Sequence, residues 1–406
     1  MHLQRTSRFL SLLLAAGLFT APMFGATSTT KRRSTHRVAR SGKRVTHSRA
    51  AVSVKPVSFV PTVHHPSSHL SRLPKKHYIF SPWTEPTFAD STAGDLVDGE
   101  DLVVRRAAVQ ALGPFNGSVV VTDPTTGRIL TIVNQKLAYK SGFQPCSTIK
   151  LVAALAGLNE SIINPESLLQ PLAPRRMTLT EAIAHSNNLY FANVGTQLGY
   201  DRVTKYARLF GLGEKASTIE DEQPGVWPVE PPADGGVGMM TSFGLGITLT
   251  PLELADLVGA IANGGTLHQL QHPRSQDDIA QFVPRVKRRL DIEQAIPVLK
   301  PGMMGAVEFG TARRASFNPT EPIFGKTGTC TDKNSPTHLG WFGSFNEVGT
   351  KKLVVVVLLT GGKPVNGPVA SGVAGEIYKN LSQENYFGQS SAIGPMALIS
   401  TQSCCR

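Results

Sequence analysis

From Gly117 to Asn134 the chain reads GSVVVTDPTTGRILTIVN. Two β-rich apolar stretches flank Asp-Pro-Thr-Thr-Gly, a pattern that predicts a β-hairpin. From Ile149 to Leu158 every position is apolar except Lys150, as in a helix covered on all sides. Residues 179–199 carry another helical pattern, broken by the polar Ser186-Asn187-Asn188. Thr250-Pro251 opens a further helix, because proline suits the first helical turn, and Asn263-Gly264-Gly265 closes it. Lys352–Thr360 is almost continuously apolar and reads as a buried strand. Pro368–Ser382 reads as a closing helix, again with proline at its start. Strands at both ends of this body with helices between them predict an α/β (α+β) domain, one sheet packed with helices. No internal repeat is visible.

Charge divides the 406 residues unevenly. Residues 1–84 hold 14 Lys and Arg and no Asp or Glu, so the formal net charge of +12 resides in a tail and the remaining body is close to neutral. That distribution argues against a nucleic-acid-binding body. Residues 31–100 are read as a basic, disordered tether, a solvated segment with a second reading as a binder of polyanions such as anionic wall polymers or lipid headgroups. Residues 1–30 look like an export signal or membrane anchor: Arg5 and Arg8 precede an apolar run from Phe9 to Phe24, short for a membrane span. Lys31, Arg32 and Arg33 directly after that run oppose translocation. The folded body is expected over 101–388, followed by a tail over 389–406. The four cysteines, Cys146, Cys330, Cys404 and Cys405, fit no zinc spacing, and most histidines are scattered through the tail. No metal site is expected.

Three short patterns carry candidate chemistry. Ser147 and Lys150 stand one helical turn apart and share a face. A serine hydroxyl needs a base within hydrogen-bond reach, and apolar neighbours disfavour the charged form of a lysine, which would make Lys150 that base. The plain alternative is a lysine that reaches solvent from a first turn, and Ser28-Thr29-Thr30-Lys31 has the same spacing. Ser186-Asn187-Asn188 is the second pattern; Ser316-Phe317-Asn318 and Ser344-Phe345-Asn346 match it equally well. The third, Lys326-Thr327-Gly328-Thr329, offers a cation, hydroxyls and backbone N–H groups suited to a carboxylate and a developing oxyanion. Gly328 lets a ligand approach the backbone.

In this order the patterns resemble those of the penicillin-binding protein transpeptidases and serine β-lactamases. VVVTDPTTGRILTIV is similar to the family's first hairpin, and TSFGLGITLTPLELADLVGAIANGGTL to the stretch before its third motif; GTARRA, KTGT and GWFGSF follow in the expected order. The resemblance covers roughly residues 105–385. It implies an antiparallel sheet flanked by helices, with an all-helical subdomain. Two positions depart from the usual pattern: Pro145-Cys146 replaces Pro-Gly, and Gly244-Leu245-Gly246 replaces Gly-Gln-Gly. The large transpeptidases carry a further domain before this one; here only the basic tether is seen.

The resemblance also implies a mechanism. Ser147 would attack the carbonyl of a peptidoglycan stem peptide ending in D-Ala-D-Ala, or of a β-lactam antibiotic, with Lys150 as base. Ser186 would relay a proton, and Asn188 would bind the substrate amide. Lys326, Thr327 and Thr329 would position its carboxylate beside Gly328, with no metal or organic cofactor. Because Ser147 and the Lys326–Thr329 strand must touch one substrate, the flanking Cys146 and Cys330 are expected to form a disulfide. A similar bridge occurs in some class A β-lactamases, and export would supply the oxidising compartment. The alternatives are two buried thiols at this pair, and, for the whole protein, a serine β-lactamase or a non-catalytic β-lactam sensor. The class A Glu-x-x-Leu-Asn loop is missing, and no multi-span membrane segment or effector domain is visible.

Overall fold

The computed structural model describes residues 83–167, 176–332 and 336–388. The export segment, most of the basic tether and Cys404 and Cys405 lie outside the described residues.

Asp101 caps helix α1 (Leu102–Leu112) by accepting from the Val103 and Val104 N–H groups. The predicted hairpin follows as β1 (Gly117–Thr122) and β2 (Ile129–Val133), paired antiparallel with Val120 opposite Ile132. A short helix α2 (Gln135–Ala138) leads to a 3₁₀ turn at Cys146–Ile149 that runs into α3 (Lys150–Asn159). Next come α4 (Leu179–Ala184), α5 (Asn188–Leu209), α6 (Gly236–Phe243) and α7 (Pro251–Ala262). The helix predicted to end at residue 199 continues to Leu209 across a kink, because Gly199 adopts φ 76° and ψ 164° and the helical path resumes beyond it. A small ribbon of β3 (Thr266–His268) and β4 (Val286–Arg289) brackets α8 (Gln276–Ala280). Then follow α9 (Ile296–Glu308), β5 (Ile323–Asp332), β6 (Thr337–Asn346), β7 (Val354–Gly361) and α10 (Gly367–Gln383).

The main sheet has the order β2-β1-β7-β6-β5, and all its pairs are antiparallel. The continuous apolar run of β7 has a simple cause: helices cover both faces. Val354, Val356 and Leu358 join the core beneath α3, α5 and α7, while Val355, Val357 and Leu359 pack beneath α1 and α10. Helix α7 is buried along its length and opens with a capping box between Thr250 and Glu253. Strand β5, which carries Lys326–Thr329, lies at the sheet edge.

One expected boundary moves. Residues 83–100 do not belong to a solvated tether; they pack on the body. Asn116 donates to the Pro86 carbonyl, Gly362 N–H donates to Thr87 Oγ1, and Asp95 and Glu100 pair with Arg105. The segment lacks hydrophobic periodicity because polar side chains, rather than an apolar stripe, fasten it.

Candidate active site

Three elements converge on the Lys150 amine. In a 3₁₀ turn, side chains three apart lie directly in line, and the turn at Cys146–Ile149 sets Ser147 Oγ 2.6 Å from Lys150 Nζ. The α4–α5 junction supplies the Ser186 carbonyl at 3.0 Å, Ser186 Oγ at 3.1 Å and Asn188 Oδ1 at 2.6 Å. Edge strand β5 brings Lys326 Nζ to 2.8 Å from Ser186 Oγ. The hydroxyl of Ser186 therefore stands between two amines.

The α4–α5 junction is a helix-closing motif with an unusual occupant. Asn187 N–H donates to the Ala182 carbonyl and Ser186 N–H to the Ile183 carbonyl. That pattern places Ser186 at the left-handed position usually held by glycine, and its φ is 55°. Asn187 then turns outward to cap α5 through the Tyr190 N–H. Cys146, just before Ser147, is also left-handed, with φ 51°. Each such residue costs on the order of 1 kcal/mol, and both hold a reactive group at its station.

Lys150 and Lys326 are both wholly buried. Burial, together with the Lys326 charge, pushes the Lys150 amine down to about 6. Burial brings Lys326 down to about 7. A neutral Lys150 has two protons and one lone pair. The protons satisfy Asn188 Oδ1 and the Ser186 carbonyl, which leaves the lone pair for the Ser147 hydroxyl. Such an arrangement would let Lys150 accept a proton from Ser147, and with Lys150 wholly buried a lysine reaching for solvent is excluded.

The third pattern is held from both sides. A Cβ at Gly328 would lie 2.9 Å from the Pro145 carbonyl oxygen and 3.1 Å from Trp341 Cβ, so only glycine lets β5 lie against the Pro145–Thr148 turn. Trp341 Nε1 donates to the Gln144 carbonyl, and Gln144 Nε2 donates to the Phe243 carbonyl. Thr329 Oγ1 accepts from Gly367 N–H, which leaves its own proton free. Cys146 and Cys330 form a disulfide, with Cα atoms 5.5 Å apart.

The structure brings together Ser147, Lys150, Ser186, Asn188 and Lys326 by direct contact, with Thr327, Gly328 and Thr329 on the same strand. It also separates the look-alike patterns. Ser344 is buried in β6 and donates to the Val355 carbonyl, remote in role from any lysine. Ser316 follows a short 3₁₀ turn after α9, and Ser28 lies outside the described residues. Sequence reasoning overlooked Gln144, Trp341 and Thr311, the last 2.6 Å from Thr327 Oγ1. The hydroxyl beside Gly310 was the available signal for Thr311. No group of acidic, His and Cys residues suited to a metal occurs among the described residues.

Comparison with known proteins supplies a family and a fold. The family model described as the penicillin binding protein transpeptidase domain matches residues 117–383. Stage V sporulation protein D of Bacillus subtilis (strain 168) is 25% identical over 316 residues, covering 68% of this chain and 48% of its own length. Peptidoglycan D,D-transpeptidase PbpA of Mycobacterium tuberculosis (strain ATCC 25618 / H37Rv) is 26% identical over 312 residues, covering 62% of this chain and 63% of its own. The chain thus spans about half to somewhat under two thirds of these curated relatives. Two solved structures share the fold. The transpeptidase domain of Burkholderia pseudomallei penicillin-binding protein 3 gives a TM-score of 0.60 at 18% identity, covering 70% of this chain and 94% of that one. PBPA from Mycobacterium tuberculosis gives 0.58 at 23%, covering 68% and 78%.

Proposed function

The chain belongs to the penicillin-binding protein transpeptidase domain family, and from that premise we propose that it is a serine acyltransferase acting on peptidoglycan stem peptides that end in D-Ala-D-Ala. The observation that carries this reading is the buried Lys150 amine, held near neutrality 2.6 Å from the Ser147 hydroxyl. Ser147 Oγ attacks the penultimate D-Ala carbonyl while Lys150 takes its proton. The Ser147 and Thr329 N–H groups hold the oxyanion; β5 being an edge strand supports this, since alternate N–H groups on its free side have no strand partner. Ser186, in contact with both lysines, passes a proton to the departing D-Ala amine. Asn188 steadies Lys150 through Oδ1, which leaves its amide N–H for the substrate backbone. Lys326, Thr327 and Thr329 receive the terminal carboxylate.

An amine from a second stem peptide then takes the acyl group and closes a cross-link; water in its place would give carboxypeptidase action. A β-lactam presents the same carbonyl and carboxylate and would acylate Ser147. This chemistry places the protein outside the cytoplasm. Among the described residues no helix is long and apolar enough to cross a membrane; the export signal or anchor expected over residues 1–30 lies outside them. The basic segment before Trp83 would hold the body near anionic wall polymers or lipid headgroups.

The test combines the purified protein with a donor peptide ending in D-Ala-D-Ala and a D-amino-acid acceptor, and reads products by mass. The expected result is release of D-Ala with acyl transfer to the amine, and, after penicillin treatment, one adduct on the Ser147 peptide. An adduct on any other serine overturns the assignment. Rapid, repeated hydrolysis of penicillin would instead identify a β-lactamase.

A further inference from the structure

The turn after α9 contains a residue that touches both motif-bearing elements. Thr311 N–H donates to the carbonyl of Ala184, two residues before Ser186. Thr311 Oγ1 lies 2.6 Å from Thr327 Oγ1 on β5. Gly310 makes this approach possible, because a Cβ there would lie 2.2 Å from the Ala184 carbonyl oxygen. Thr327 is buried and Thr311 half-buried. Among the described residues, neither hydroxyl makes any other hydrogen bond.

Two hydroxyls in contact can order their protons in two ways. If Thr327 donates to Thr311, its proton is spent and its lone pairs face an arriving carboxylate. If Thr311 donates, the Thr327 proton is free to meet that carboxylate in a charge-assisted bond, and the two bonds polarise each other in the same sense. We propose that Thr311 is a positioning residue for substrate recognition: it donates to Thr327 Oγ1, so that Thr327 presents its proton to the terminal carboxylate of the substrate. Its backbone bond to Ala184 fixes it relative to the Ser186 junction, so the same residue keeps the carboxylate site in register with the proton relay. This inference rests on the reading of Lys326–Thr329 as the carboxylate site.

The experiment measures acylation of wild type, Thr311→Val and Thr311→Ser by benzylpenicillin and by its methyl ester, which lacks the carboxylate. Valine keeps the shape and the backbone bond but removes the donor. Thr311→Val is expected to raise the apparent binding constant for benzylpenicillin about fivefold, as for one ordinary hydrogen bond, with the saturating acylation rate within about twofold. The methyl ester constant should not move, and Thr311→Ser should restore the acid. An equal loss for acid and ester, or no loss for either, overturns the proposal. If wild type itself is not acylated by benzylpenicillin, the reading of the whole site falls and this inference falls with it; a wild type that is acylated separates the two.

Discussion

Two regions of this molecule bury strong bases, and they treat them in opposite ways. Arg105, on α1, is surrounded by acceptors: Asp95 at 2.7 Å, Glu100 at 3.2 Å and the Ile132 carbonyl at 2.8 Å. Burial by itself would push Glu100 up. His272 nearby, bonds from Thr131 and the Ile132 N–H, and the Arg105 charge outweigh that effect and hold its carboxyl below the usual range. His272 Nε2 stands 3.4 Å from Glu100 without hydrogen-bond alignment. Lys150 and Lys326 have no carboxylate within ion-pair distance among the described residues; they face hydroxyls, carbonyls and each other. A paired base stays charged and ties segments together. An unpaired one loses its proton and becomes available for chemistry.

Replacing each base tests that contrast. Lys150→Met should lower acylation by roughly 10³-fold, because the base is gone, with no loss of stability. The folded-state value of about 6 lies below the unfolded 10.5. The folded protein therefore binds fewer protons across that window, and its stability rises with pH there. The methionine variant should gain stability at pH 6–7, and the gain should fade towards pH 10; thermal melts across pH read this. A destabilised variant at pH 6 would mean that losing the bonds to Asn188 and the Ser186 carbonyl outweighs the relief of burying an amine. Arg105→Met should do the reverse. Two buried carboxylates lose their partner, at a cost of roughly 3–5 kcal/mol in urea unfolding, while acylation per folded molecule stays near wild type. Lost chemistry in folded molecules would show that the two regions are coupled.

The disulfide provides a covalent tie beside the site. It spans 184 residues, and in the chain-entropy model losing such a link costs roughly 2–5 kcal/mol. Cys330→Ser should lie in that range. Cys146→Gly should cost less by about 1 kcal/mol, since glycine accepts the left-handed φ of 51° freely. Equal losses would remove backbone strain from the account.

The mildest perturbation is pH. On the proposed mechanism acylation by benzylpenicillin needs Lys150 neutral, so it should fall as pH drops below about 6. It also needs Lys326 charged for the carboxylate, so it should fall as pH rises past about 7. The two amines interact and titrate as a pair, giving a narrow bell in the second-order constant. The alkaline limb should vanish for the methyl ester; if it persists, Lys326 is not the carboxylate cation.

A protein starting at Trp83 keeps the polar clasp of Asp95 and Glu100 and is the natural unit for these measurements. A start at Asp101 would remove both carboxylates and leave Arg105 without its acidic partners. This is where sequence reading fell short. Residues 83–100 have the composition of a linker, and nothing local reports that Asp95 will meet Arg105 and the Asn134 and Gln135 N–H groups. The hairpin, the proline-led start of α7 and the β7 run were legible because each is a local signal: turn chemistry, a helix-start residue, or a run of burial.

The sequence by itself determined the order of the motifs, the sheet-and-helix class, and that Ser147 and Lys150 share one face of a helical turn, since a spacing of three residues fixes that much. It also set Cys146 beside Ser147 and Cys330 beside Thr329, the two segments that the family resemblance brings to one substrate. Only the tertiary structure decided which of three Ser-x-Asn patterns reaches the lysine, that Lys150 lacks an acid partner, and that Thr311 meets Thr327. The reason is physical. Helical and strand periods record which face of an element is covered, and each segment carries that information itself. Proton affinity and hydrogen-bond order depend on which distant groups arrive and which do not. Here the partners come from residues 36 and 140 positions apart along the chain.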